Sequence, residues 1–391
     1  MNVRPSAGPL LIIAPGRARG GCEEYMLRVV RGAQAHGWSV AVSLPYLEST
    51  ASIRTDLMNL GAQCIHWDLG SDGDLEAWGT VEHQADATHR LMERVAPRAV
   101  LLTLPSPLSA LGALGALDAA KQPVTAVFQL CASPMNIPFR ARESCVLARE
   151  RGQTWVAVST QNRRAIATSF GVDPEYIQVI SNGVDVPELP DNVARRVARL
   201  QLGVSSGQEV VLTVGRLTPQ KGYEEWLNAI RAVARWRPLL AAWWAGSGED
   251  DERMASLVRD MALGETVRLL GRRTDVSRLL TAADVFVMPS RFEGLPFALL
   301  EALAHGTPTV ASEIEPHQAV ITSGEHGLLA SPAGLADAVQ VILDNPNSSR
   351  RMAAAGRERV RCAFNASNMV SEVLRTLTRN LAGRASSNGQ T

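Results

Sequence analysis

The chain has 391 residues, more than one hydrophobic core ordinarily supports, so two domains of about 180 residues each are expected. Its 39 Lys and Arg balance 39 Asp and Glu, which argues against a protein that coats nucleic acid and therefore needs a basic excess. Five scattered cysteines (Cys22, Cys64, Cys131, Cys145, Cys362) form no C-x-x-C pair, so neither a disulfide framework nor a zinc site is indicated and a reducing cytoplasm fits.

The first apolar run, residues 10–14, is too short for a signal-peptide core or a membrane span, and no later run reaches spanning length. It reads as a strand. Further strand-like runs lie at 39–44, 99–104, 124–130 and 155–158, and in the second half at 210–214, 240–245, 267–270, 285–288 and 309–311. Helical patterns alternate with them, as in residues 23–35, where Met26, Leu27, Val30 and Ala33 share one face. This alternation predicts an α/β protein with parallel sheets. The weakest pattern, residues 184–207, where prolines and glycines break up a short arginine-rich helix, is read as an interdomain linker, preceded by a turn at Asn182-Gly183. Residues 348–381 read as two helices with a break near 363–368, and 382–391 as a disordered tail.

Four constellations carry possible chemistry. Gly20-Gly21-Cys22-Glu23 follows the first strand and opens the first helix, a place that permits close backbone approach and favours anions. Arg216 and Lys221 sit in a loop after the 210–214 strand with a glycine at each end, read either as a solvated turn or as a diphosphate cradle. Glu293 and Glu301 flank the helix start at Pro296, read either as a cap beside a surface carboxylate or as acceptors for sugar hydroxyls around an anion site. Asp72-Gly73-Asp74 resembles a metal-binding D-x-D, yet no strand leads into it, and a solvated turn is the reading adopted. The histidines have no zinc-ligand spacing, there is no G-x-x-x-x-G-K-[ST] loop, and the one G-x-S-x-G, at 203–207, precedes a strand where a nucleophile elbow must follow one. Trp226, Trp236, Trp243 and Trp244 beside Arg231, Arg235 and Arg237 are assigned to core packing with a solvated helix face rather than to membrane contact.

In order along the chain, G-G-C-E (20–23), S-N-G-V-D (181–185), V-G-R-L-T-P-Q-K-G (214–222), A-A-D-V-F-V-M-P-S-R-F-E-G-L-P-F-A-L-L-E-A (282–302), G-T-P-T-V-A-S (306–312) and G-E-H-G-L-L (324–329) resemble a retaining glycosyltransferase of family 4. The resemblance implies the GT-B fold, two Rossmann-like domains with parallel sheets facing a central cleft. It implies an acceptor-side domain over 1–185, a donor domain over 186–365, and a C-terminal helix over 366–391 that crosses back to the first domain. The implied reaction moves a hexose from a UDP- or GDP-linked sugar to a cell-envelope glycan, lipid or small-molecule acceptor, without metal or other cofactor. Arg216, Lys221 and Glu293 are the implied catalytic residues, with Arg216 and Lys221 on the diphosphate and Glu293 against the sugar. Glu301 would accept from the ribose, and N–H groups of Gly294, Leu295 and Phe297 would hold the anion. Gly20 and Gly21 would close over the donor, and Arg272 lies in the segment expected to meet the base. Many members carry a histidine where this chain has Gln129, which cannot act as a base and is expected to hydrogen-bond a sugar or acceptor on the acceptor side. His305 and His317 receive no catalytic role. The expected location is cytoplasmic, with peripheral contact at the inner face of the membrane. A sugar-nucleotide epimerase and a non-catalytic scaffold on the same fold are the competing readings.

Overall fold

The structure, a computed structural model, describes residues 8–67 and 78–387. The D-x-D at Asp72 and Asp74 lies outside the described residues. Two compact units are present: Met1–Asn182 with Ala366–Thr391, and Gly183–Asn365.

In the first unit β1 (Leu10–Ile13), α1 (Gly21–Ala35), β2 (Val40–Leu44), α2 (Ala51–Asn59), β3 (Gln63–His66), α3 (Trp78–Val95) and β4 (Ala99–Leu104) are followed by α4 (Leu111–Ala116), β5 (Val124–Phe128), α5 (Phe139–Glu150), β6 (Thr154–Ala157), α6 (Thr160–Phe170) and β7 (Ile177–Val179). The sheet is parallel, with order β3-β2-β1-β4-β5-β6-β7. Strands β1, β2, β4 and β5 are buried throughout, which is why each is a continuous apolar run rather than an alternating one. Phe128, Trp155 and Phe170 lock β5, β6 and α6 together through edge contacts, with centroids 4.7–6.0 Å apart.

The second unit runs α7 (Asn192–Gln201), β8 (Glu209–Val214), α8 (Tyr223–Ala234), β9 (Leu240–Ala245), α9 (Asp251–Asp260), β10 (Val267–Leu269), α10 (Val276–Ala282), β11 (Val285–Met288) and α11 (Phe297–Ala304). It continues with β12 (Thr309–Ser312), α12 (Glu315–Gln318), β13 (Leu328–Ala330), α13 (Leu335–Asp344) and α14 (Pro346–Ala363). Its parallel order is β10-β9-β8-β11-β12-β13, so the chain reverses direction of travel between β8 and β11. Ligands of doubly wound sheets bind outside the carboxyl ends of the strands at such a reversal. The helix α15 (Ala366–Ser387) belongs to the first unit and packs on α1, where Gly32 leaves room that a Cβ would take from Val370.

The fold class read from the sequence is the observed one, with five differences in detail. Strands β3, β7 and β13 were not anticipated; all three are short and partly exposed sheet edges, so they lack the apolar run that marks an interior strand. The expected linker contains α7, an integral helix of the second unit held by Arg195 and Arg199 on Asp284. Asn182-Gly183 forms no left-handed turn: Asn182 is buried and donates to Gln129, and Val184 N–H donates to the Phe364 carbonyl. The tail expected to be disordered continues α15 as far as Ser387, and residues 388–391 lie outside the described residues. Of the four tryptophans assigned to the core, Trp226, Trp243 and Trp244 are buried, but Trp236 is 80% exposed. Among the described residues no helix is long and apolar enough to cross a membrane.

Candidate functional site

The β8–β11 reversal carries most of the candidate residues of the second unit. After β8, Gly215 is clamped: its N–H donates to the Ala245 carbonyl at 3.0 Å and its own carbonyl accepts from the Trp244 indole at 2.9 Å. Gly246 permits that approach, because a Cβ there would stand 2.0 Å from the Gly215 carbonyl oxygen. The loop then winds a single 3-10 turn, Pro219–Lys221, and ends at Gly222 with φ +67°. A Cβ on Gly222 would lie 2.1 Å from the Pro289 carbonyl oxygen, so glycine both adopts the left-handed conformation and lets this loop lie against the one after β11.

The two loops are joined by polar contacts. Arg291 N–H donates to the Gln220 carbonyl at 2.8 Å, and the Gln220 amide donates to the Phe292 carbonyl at 3.1 Å. Glu293 is buried, and both of its oxygens are engaged: Oε1 by Lys221 Nζ at 2.5 Å and Oε2 by Gln220 Nε2 at 3.2 Å. A buried carboxylate needs a partner of this kind, since an unpaired charge there is strongly disfavoured. The structure thus brings Lys221 and Glu293 into one ion pair, a contact that their reading as separate diphosphate and sugar ligands did not include. Arg216 is exposed on the same loop and lines an open cavity of about 340 Å³ with Thr218, Gln220, Glu249, Arg291 and Phe292; Lys221 and Glu293 are not part of its wall.

From Glu293 the chain enters α11 through buried Gly294, Leu295 and Pro296; Pro296 stands just outside the helix as its N-cap, and Phe297 is the first helical residue. Glu301 is half-buried one turn on, and its carbonyl accepts from both His305 N–H and His305 Nδ1. Arg272 is exposed after β10, two strands from β8, following Gly271 with φ +59°. Its neighbour Arg273 forms a two-pronged pair with Asp275, both contacts 2.8 Å.

Two side chains beside this constellation escaped the sequence reading. Gln220 gave no signal except its place between Arg216 and Lys221. His317, set aside earlier, is fully buried. Its Nδ1 lies 2.9 Å from the Ser312 carbonyl and must donate, because a carbonyl oxygen only accepts. Burial pushes the imidazole down to about 4; the field of Glu293 acts in the opposite sense and that of Lys221 in the same one. The ring is therefore neutral near pH 7, and its Nε2 has no hydrogen-bond partner among the described residues.

The remaining candidates lie in the first unit. Gly20 is extended and Gly21 begins α1; buried Glu23 turns back so that its Oε2 accepts from Gly20 N–H at 2.8 Å, satisfying one of the free donors of the helix start. Gly16 makes room for this, since a Cβ there would meet Glu23 Oε1 at 1.7 Å. Gln129 is buried just past the end of β5, where its Oε1 accepts from Asn182 Nδ2 at 3.1 Å. That bond fixes the amide and leaves Nε2, a donor, without a partner among the described residues.

Residues 194–359 match the model of the family Glycosyl transferases group 1. Over 223 residues the chain is 32% identical to a glycogen synthase of Mycobacterium tuberculosis, an alignment covering 56% of this chain and 52% of that protein. It is 34% identical over 165 residues to a lipopolysaccharide core biosynthesis glycosyltransferase of Rhizobium meliloti, covering 41% of this chain and 47% of the relative. The chain thus spans about half the length of these curated relatives. The crystal structure of Anabaena HepE in complex with UDP and glucose superposes with a TM-score of 0.80 at 18% identity, covering 95% of this chain and 100% of HepE. Most of the second unit is thus similar to the glycosyl transferases group 1 model, and the chain as a whole has the GT-B fold.

Proposed function

We propose that the protein is a retaining glycosyltransferase of family 4. It transfers a hexose from a UDP- or GDP-linked sugar to a glycan, lipid or small-molecule acceptor, from the cytoplasmic side. The observation that carries this reading is the assembly of Arg216, Lys221 and Glu293 at the carboxyl ends of β8 and β11, where the sheet order reverses and α11 begins. When the anomeric bond breaks, charge grows on the leaving phosphate oxygens, and cations and N–H donors already aimed there lower the barrier. Lys221 spends one of its three N–H donors on Glu293, which leaves two for phosphate while the carboxylate fixes the ammonium in place. Glu293 thereby acquires a positioning role in addition to any contact with the sugar. Arg216, exposed on the cavity wall, supplies the second cation and a forked donor set.

Around them, Gly294, Leu295 and Phe297 supply N–H groups at the start of α11, Glu301 takes the ribose hydroxyls, and Arg272 serves the base. In the first unit Gly20 and Gly21 are assigned to the donor. Gln129 is assigned to the acceptor, because its buried Nε2 is a donor awaiting an oxygen. Retention follows from front-face attack, in which the leaving phosphate takes the proton of the acceptor hydroxyl and no metal is needed.

Titration with UDP-, GDP- and ADP-sugars tests the proposal. Saturable binding of at least one, weakened by Arg216→Ala or Glu301→Ala, supports it; absence of binding to all of them overturns it. An inverted anomeric configuration in the product, read by NMR, would remove the retaining mechanism while leaving transfer intact.

A further inference from the structure

Gln220 uses both its backbone and its side chain on three consecutive residues of the facing loop. Its carbonyl accepts from Arg291 N–H at 2.8 Å, and its amide Nε2 donates to the Phe292 carbonyl at 3.1 Å and to Glu293 Oε2 at 3.2 Å. A carbonyl oxygen and an ion-paired carboxylate oxygen only accept, so the nitrogen must face both and the amide cannot be turned over. Its two N–H groups are then both engaged, one on each acceptor. Lys221, the next residue, takes the other carboxylate oxygen, Oε1, at 2.5 Å. Glu293 is only 6% exposed, so water does not replace either contact.

We propose that Gln220 is a positioning residue for glycosyl transfer: by holding Oε2 it fixes the plane of the Glu293 carboxylate and, through Oε1, the place of the Lys221 ammonium. The inference rests on the transfer reaction proposed above. A carboxylate gripped through one oxygen can turn about its last side-chain bond, where the torsional wells are broad. Lys221, on a flexible four-carbon stem, then moves with it. Gripped through both oxygens, the carboxylate presents the remaining Lys221 donors in one direction. A misplacement of about 1 Å in such a group can cost about 10²-fold in rate, and the loss is greatest where charge develops in the transition state. Gln220 also lines the cavity beside Arg216, whose wall includes neither Lys221 nor Glu293. Its side chain therefore joins the buried ion pair to the open cavity.

The test is donor hydrolysis by the full chain, with water as acceptor and release of nucleoside diphosphate from UDP-, GDP- and ADP-sugars as the readout, beside titration with the free nucleotides. Gln220→Met keeps the length of the side chain and removes both donors. It should lower kcat by about tenfold or more, while affinity for the free nucleotide changes less than about threefold, because Oε1 still holds Lys221. Gln220→Asn, an amide too short to reach Glu293, should lose as much. Gln220 is half-buried on a loop, so both variants should keep the fold, which their thermal midpoints verify. Equal kcat in the parent and Gln220→Met overturns the proposal. So does a fall in nucleotide affinity as large as the fall in kcat, since a loop that had merely loosened would lower both. A parent chain that releases nucleotide from no donor would instead remove the transfer reaction and this role with it, so the two failures are told apart by the parent.

Discussion

The two units are variations on one doubly wound scaffold, but the carboxyl ends of their sheets hold different chemistry. In the second unit the loops after β8 and β11 bring together Arg216, Lys221, Arg291 and Glu293, charged groups tied into pairs or lining a cavity. Among the described loops of the first unit, the one after β1 is shaped by Gly16 and Gly20 around the inward-turned Glu23, and the segment after β5 offers the neutral amide of Gln129. Scaffold geometry therefore fixes where a ligand can be met, while the loop side chains fix what kind. A charged end suits a phosphate, and a neutral buried donor suits a hydroxyl or ether oxygen.

That contrast can be broken most severely at Glu293. Glu293→Ala leaves the Lys221 ammonium without its partner in a largely buried place and should cost about 3–5 kcal/mol in chemical denaturation. A loss under 1 kcal/mol would mean that the pair is solvated and the charged end loosely built.

Acid should act on the second unit through His317. Its folded value, about 4, lies below the ordinary 6.5, so its contribution is intact above 6.5 and is lost as pH falls through that window, when the unfolded chain takes a proton that the folded ring refuses. The loss should reach up to about 3 kcal/mol. Thermal midpoints measured across this range should fall less steeply for His317→Asn; parallel curves would remove His317 as the cause.

Arg216→Ala should lower kcat/KM for transfer by about 10²-fold or more, equivalent to about 2.7 kcal/mol, with little change in stability because the side chain is exposed. Unchanged kinetics would detach the charged end of the second unit from the chemistry. The smallest effect is expected at Gln129. Gln129→Leu removes an unpaired buried donor along with one bond to Asn182, so stability should move by about 1 kcal/mol or less while transfer falls. Equal transfer with unaltered acceptor KM would deprive the first unit of its assigned part.

Interior strands such as β4 and β9 were legible because burial on both faces forces a continuous apolar run. The edge strands β3 and β13 were not, since half-exposed residues carry no such run. The helix α7 was legible as a short arginine-rich helix, but its place was not: bounded by prolines and glycines it resembles part of a linker until Asp284 is seen to collect its charges. Trp236 was misplaced because it was grouped with the buried tryptophans although Arg235 and Arg237 flank it in the turn after α8, where it is exposed.

By itself the sequence determined the alternation of strand and helix, the parallel α/β class and the identity of the ionisable residues at strand ends, because local periodicity and composition encode these directly. Only the tertiary structure decided that Lys221 and Glu293, 72 positions apart, form one ion pair, that Gln220 joins them, and that His317 is buried within their field. Those relations depend on strand order. The sheet lays β11 beside β8, and Gly222 lets the two following loops touch.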